Sequence, residues 1–203
     1  MDAKEAEKHL VAIRRIMESA TQITVLPGWA AIIGGALALA GCVVTYGLMK
    51  SLDFARIADL DVGLRIAVIA LWVGIAALAT GIDIVMTVRL ARKKGKNPWS
   101  RLSQLATYAM GPAVGAALAI SLALALNGTW SPIPAVWMLL YGLGVWMAGV
   151  LSVHAPGVLG LVFMVAGVAT LFWAGPIALL AVAVTFGLAH IVFGIYLVAR
   201  FGD

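Results

Sequence analysis

The sequence predicts an all-α membrane protein: a polytopic bundle of six transmembrane helices in three antiparallel hairpins, preceded by an amphipathic N-terminal helix. Three observations carry this. Of the 203 residues, 63% are hydrophobic and 11% charged, with a mean hydropathy of +1.05. A soluble domain carries about 25% charged residues, so too little polar surface remains here to face water. The apolar residues also gather into six runs of near the roughly 20 residues that a span needs. Finally, six of the fourteen Lys and Arg lie between Arg89 and Arg101, beside one of those runs. That clustering is a topology signal and not a nucleic-acid footprint, so a nucleic-acid partner is not expected.

The elements follow in order. In residues 1–24, Leu10, Ile13, Met17 and Ala20 recur at i, i+3, i+7 and i+10, while Arg14, Arg15 and Glu18 point elsewhere. This is the pattern of an interfacial helix on the cytoplasmic surface. The charged start "MDAKEAEKHL" lacks the early apolar core of a cleavable signal peptide. Residues 25–203 form the membrane domain, with spans at about 26–49, 64–88, 105–126, 133–151, 157–174 and 177–199.

The positive-inside rule sets their direction. Lys4, Lys8, Arg14 and Arg15 precede span one, the Arg89–Arg101 cluster joins spans two and three, and Arg200 follows span six. Both termini are therefore expected in the cytoplasm. Between spans one and two, Phe54, Ile57 and Leu60 fall on one side of a short helix, with Asp53, Arg56 and Asp59 placed to pair along it. Trp130, between spans three and four, is expected at the headgroups. Only "AGP" separates spans five and six, which makes them antiparallel neighbours.

Glycine spacing predicts how the helices meet. Gly74 and Gly81, Gly142 and Gly149, and Gly187 and Gly194 each lie seven residues apart. Seven residues is about two turns, so each pair lines one stripe where another backbone can approach closely. An aromatic residue shortly precedes the first glycine of each pair: Trp72, Tyr141 and Phe186.

Ionisable residues inside a span are costly and mark candidate sites. Asp83 lies six residues before Arg89, about 9 Å inside the boundary, with Thr80 and Thr87 on its face. His190 lies ten residues before Arg200, about 15 Å deep. Asp83, His190, Thr80, Thr87 and Tyr196 form the candidate intramembrane polar site. Its sharp reading is a proton-accepting pair of Asp83 and His190, with Tyr196 an equal partner by depth. The plainer reading makes His190 a hydrogen-bonding contact between helices, because Gly187 and Gly194 flank it at −3 and +4.

No second histidine shares the depth of His190, so no paired-histidine haem is expected. Neither are a metal or another cofactor, since no His-Glu-x-x-His or phosphate loop occurs. No nucleophile arrangement is present, and the chain is expected to be no enzyme. The single Cys42 excludes an internal disulfide.

The stretches "HLVAIRRIMESATQITVLPGW" (9–29), "RKKGKNPWSRL" (92–102), "AVWMLLYGLGVWMAGVLSV" (135–153) and "GLAHIVFGIYLVARFGD" (187–203) together carry a resemblance. The chain resembles an uncharacterised family of short bacterial six-transmembrane-helix inner-membrane proteins. The resemblance runs end to end and implies a bacterial inner-membrane address. It carries no activity, ligand or catalytic residue with it.

The expected function is that of a non-enzymatic accessory, scaffolding or regulatory subunit of a membrane complex. Its partners would be the lipid bilayer and other membrane protein chains. The alternative is a small carrier or solute-binding component with its site around Asp83 and His190.

Overall fold

A computed structural model describes residues 27–150, 154–173 and 175–202. The expected amphipathic helix in residues 1–24 lies outside the described residues. Six helices are long and apolar enough to cross a membrane, and the chain is a multi-pass membrane protein.

Helix α1 is Gly28–Met49. Pro27 precedes it, and it stops where Lys50 turns into the left-handed region (φ 52°) and donates its N–H to Tyr46 O. Helix α2, Val62–Lys93, starts where the Asp61 carboxylate accepts from the Leu64 N–H. It extends beyond the predicted span at both ends. Helix α3, Arg101–Leu126, is capped by Ser100 in the same manner and carries Pro112 inside it. Helices α4 and α5 are Ile133–Val150 and His154–Phe172. The sixth span is composite. A 3-10 turn at Gly175–Ile177 leads into α6, Ala178–Val182, then a π-helical segment, Ala183–Ala189, then α7, His190–Phe201.

Packing partly departs from three hairpins. Helices α4 and α5 form the closest pair, and α3 lies along α4. Helix α1 packs along the sixth span far more extensively than it packs on α2, whereas the fifth and sixth spans touch more lightly. Glycines account for this choice. A methyl group on Gly28 would sit 2.6 Å from Gly194 O, and one on Gly35 would sit 2.6 Å from Gly187 O. The α1–α7 seam is therefore glycine against glycine, antiparallel.

The α4–α5 seam repeats the arrangement. A methyl group on Gly142 would sit 2.8 Å from Gly160 O, one on Gly149 would meet the Gly157 backbone, and one on Gly167 would meet Leu139 and Ala135. Such contacts let main chains approach closely enough for dispersion to act over their whole length. Gly74 and Gly81 behave otherwise: a methyl group on either would meet no other element within 4 Å. Their spacing matches the other pairs, yet no neighbour among the described residues fills their stripe.

The end of the bundle opposite the Arg89–Arg101 cluster is closed by the connection between α1 and α2. Phe54 and Ile57 insert into the core at 8% and 2% exposure, on a 3-10 turn, Phe54–Asp59. Arg56 pairs with Asp59 at 3.1 Å, while Asp53 caps the Ala55 N–H instead of joining them. Leu179 N–H donates to Leu52 O and ties this cover to the sixth span. Trp130 is buried beneath the Arg65 guanidinium, 5.8 Å from its ring centre, and not displayed at the bundle rim. Cys42 is buried as a small core residue, its Sγ 3.8 Å from Leu179 O.

Candidate functional site

The polar centre of the bundle forms around His190, the first residue after the π segment. Its Nδ1 lies 3.3 Å from Thr185 O, five residues back, and its Nε2 lies 2.8 Å from the Tyr141 hydroxyl on α4. A π turn widens the helix by one residue, and such turns gather at functional positions. Here it spans the five residues between the ring and the carbonyl it meets. Within the same segment, the Thr185 hydroxyl donates to Ala181 O at 2.7 Å.

These partners fix the proton positions. A carbonyl only accepts, so Nδ1 must carry the hydrogen it gives to Thr185 O. In the neutral ring, Nε2 is then the acceptor, and the Tyr141 O–H donates to it. His190 is thereby held between a backbone carbonyl on its own helix and a phenol on another.

Aromatic rings enclose the pair. Tyr141, Phe163, Phe186 and His190 all contact one another, with ring centres 4.7 to 6.0 Å apart. Phe186 stacks on the imidazole at an interplanar angle of 12°, and Phe163 meets it edge-on at 82°. The edge-on pairs put ring hydrogens against π faces, the favoured arrangement of aromatic quadrupoles. The cluster joins α4, α5 and the sixth span at one level, next to both glycine seams.

Asp83 is placed differently. On α2, Trp72 donates its indole N–H to Thr45 Oγ1 of α1 at 3.1 Å, Ile75 abuts Gly41, and Ala79 approaches Gly34. Asp83 comes eleven residues after Trp72, about three full turns, so it faces the bundle with them. Its surface nevertheless remains open. Asp83 is thus exposed on α2 and makes neither a hydrogen bond nor an ion pair with His190.

Of the five predicted polar-site residues, the structure brings none into hydrogen bonding with another. Thr80 and Thr87 share the Asp83 side of α2. Tyr196 stands half-exposed on α7 without a bond to His190. The groups that do hold His190, Tyr141 and Thr185, were not among those predicted. A signal for Tyr141 was present in the sequence. It precedes Gly142 as Phe186 precedes Gly187, and a residue beside a seam glycine is turned about 100° from the seam, toward the core. For Thr185 no comparable signal exists, because its role belongs to its carbonyl.

Among the described residues, no group of three or more His, Cys, Asp or Glu converges as a metal site would require. No protein-family model, curated protein or solved structure matches the chain.

Proposed function

We propose that this protein is a non-enzymatic subunit of a membrane complex, an accessory, scaffolding or regulatory component that acts through helix contacts. The observation that carries the reading is the exposure of α2. Its most apolar stretch is 6% buried, the least of the six, with α3 next at 11% and α1 and α4 at 33% and 39%. Of its 32 residues, only Val68, Leu90 and Ala91 are buried. A span that carries a carboxylate yet packs on its own bundle along one narrow face is suited to receiving another chain. The enclosed His190 supports the same reading as an internal fastening of the scaffold. The basic cluster argues for cytoplasmic termini, and the resemblance to short bacterial six-span proteins argues for a bacterial inner membrane.

The test is the mass of the particle extracted from native membranes without detergent. A particle well above the 21.2 kDa chain, of reproducible protein composition, is expected. A particle holding one chain and lipid alone overturns the reading.

A second reading has its own support. The open surface of Asp83 on the inward side of α2 suits a carrier or solute-binding component. Thr80, Thr87 and the Tyr141–His190 pair would then form the remaining polar groups. Proton-coupled uptake into vesicles that is lost in Asp83→Asn would favour it.

A further inference from the structure

One side of α2 carries a helix-length seam that the described chain leaves unfilled. Ile69, Val73, Ala76, Thr80, Asp83 and Thr87 succeed one another at intervals of 4, 3, 4, 3 and 4 residues. That alternation is the spacing by which one helix seats against another along a continuous line. Every member except Thr87 is exposed, and Thr87 is half-buried. From Ile69 to Thr87 the seam rises about 27 Å, nearly the thickness of a hydrocarbon core. Small Ala76 lies at its centre and Asp83 toward the end bearing the basic cluster.

The charge at Asp83 states what the occupant must bring. A carboxylate within the hydrocarbon is expensive unless an opposite charge meets it. Among the described residues, none of the six spans supplies one at that depth. The nearest basic residue in sequence, Arg89, is six positions on, about two-thirds of a turn off the Asp83 face. Both ring nitrogens of His190 are already engaged, by Tyr141 and Thr185. The six spans of a second copy would lack the cation equally. A small soluble cation would meet the carboxylate but make no use of the helical line through Ile69, Val73 and Ala76, two to four turns away.

We infer that this seam receives a transmembrane helix of a different protein, one carrying a single Lys or Arg that pairs with Asp83. The inference rests on the subunit reading and names the chemistry of the partner. The carboxylate sets the depth and the register, and the exposed Ile69 and Val73 supply apolar contact. Thr80 and Thr87 are placed to donate to the remaining lone pairs of Asp83 or to the partner backbone.

The test uses the full chain in lipid nanodiscs with a synthetic leucine–alanine transmembrane peptide. The peptide carries one Lys about 9 Å from its cytoplasmic end, and association is read by energy transfer between labels. The Lys peptide should bind the wild-type chain about tenfold or more tightly than a peptide with Leu at that position. Asp83→Asn should abolish the difference, and Asp83→Lys with an Asp-bearing peptide should restore it. Retained near-ultraviolet circular dichroism from the aromatic cluster would show each variant folded.

Equal binding of the Lys and Leu peptides overturns the inference. So does a Lys preference that survives Asp83→Asn, or Asp83-dependent binding of tetraethylammonium with no peptide preference. The subunit reading fails separately, if the native particle holds a single chain. A native complex of unchanged composition in Asp83→Asn overturns the assignment of Asp83 alone.

Discussion

The α1–α7 seam and the exposed side of α2 are built on the same spacing and have opposite fates. Along α1, Gly28 and Gly35 meet Gly194 and Gly187 so closely that no methyl fits without movement. Along α2, Gly74 and Gly81 show the same interval, and a methyl group on either would meet no other element within 4 Å. The difference teaches that a seven-residue glycine pair is permission for close approach and not its cause. Close approach occurs where another main chain stands opposite at matching depth, as Gly142 and Gly149 also find Gly160 and Gly157.

This contrast can be broken most sharply at the seam itself. Gly35→Leu would drive a branched side chain into Gly187 O and Ile191. It should cost about 3 kcal/mol or more, read as a lowered midpoint in detergent unfolding. Next in size is His190→Phe, which keeps the ring but strands the Tyr141 hydroxyl and the Thr185 carbonyl. A loss of about 1–3 kcal/mol is expected. Nitrogen chemical shifts of the wild-type imidazole should show hydrogen on Nδ1, and hydrogen on Nε2 alone would contradict the assigned network. Smallest is Gly81→Leu. With open space at that position, its effect on the unfolding midpoint should stay within about 0.5 kcal/mol. A cost like that at Gly35 would mean that the Gly74–Gly81 stripe is covered after all.

The six spans were legible because hydropathy and basic clustering are properties of local sequence, as the bounds of α1 and α4 illustrate. The partner of each helix was less so. The intervals Gly28–Gly35 and Gly160–Gly167 equal those recognised in the even-numbered spans, and they complete the two seams. Spacing along one helix, however, does not say which other helix stands opposite. Depth misdirected the reading of His190 for a related reason. Asp83 and Tyr196 lie within about 6 and 9 Å of its level, but level leaves the direction around the helix axis unspecified. Tyr196 and Asp83 are exposed on their helices, while Tyr141 reaches the ring from span four. The π turn had no compositional mark, since "AVTFGLA" reads as ordinary apolar helix.

That turn has one further consequence. A π segment holds an additional residue within its turn, so it sets the rotational phase between α6 on one side and α7 on the other. Before it, Leu179 is fastened to Leu52 at one end of the bundle; after it, Gly194 is seated on Gly28 near the other. Deleting one residue from Ala183–Ala189 would rotate α7 against α6 by about 100°. One of the two fastenings would then have to release. The surplus residue is thus a spacer of angle rather than of length, and it lets one helix answer to two neighbours at once.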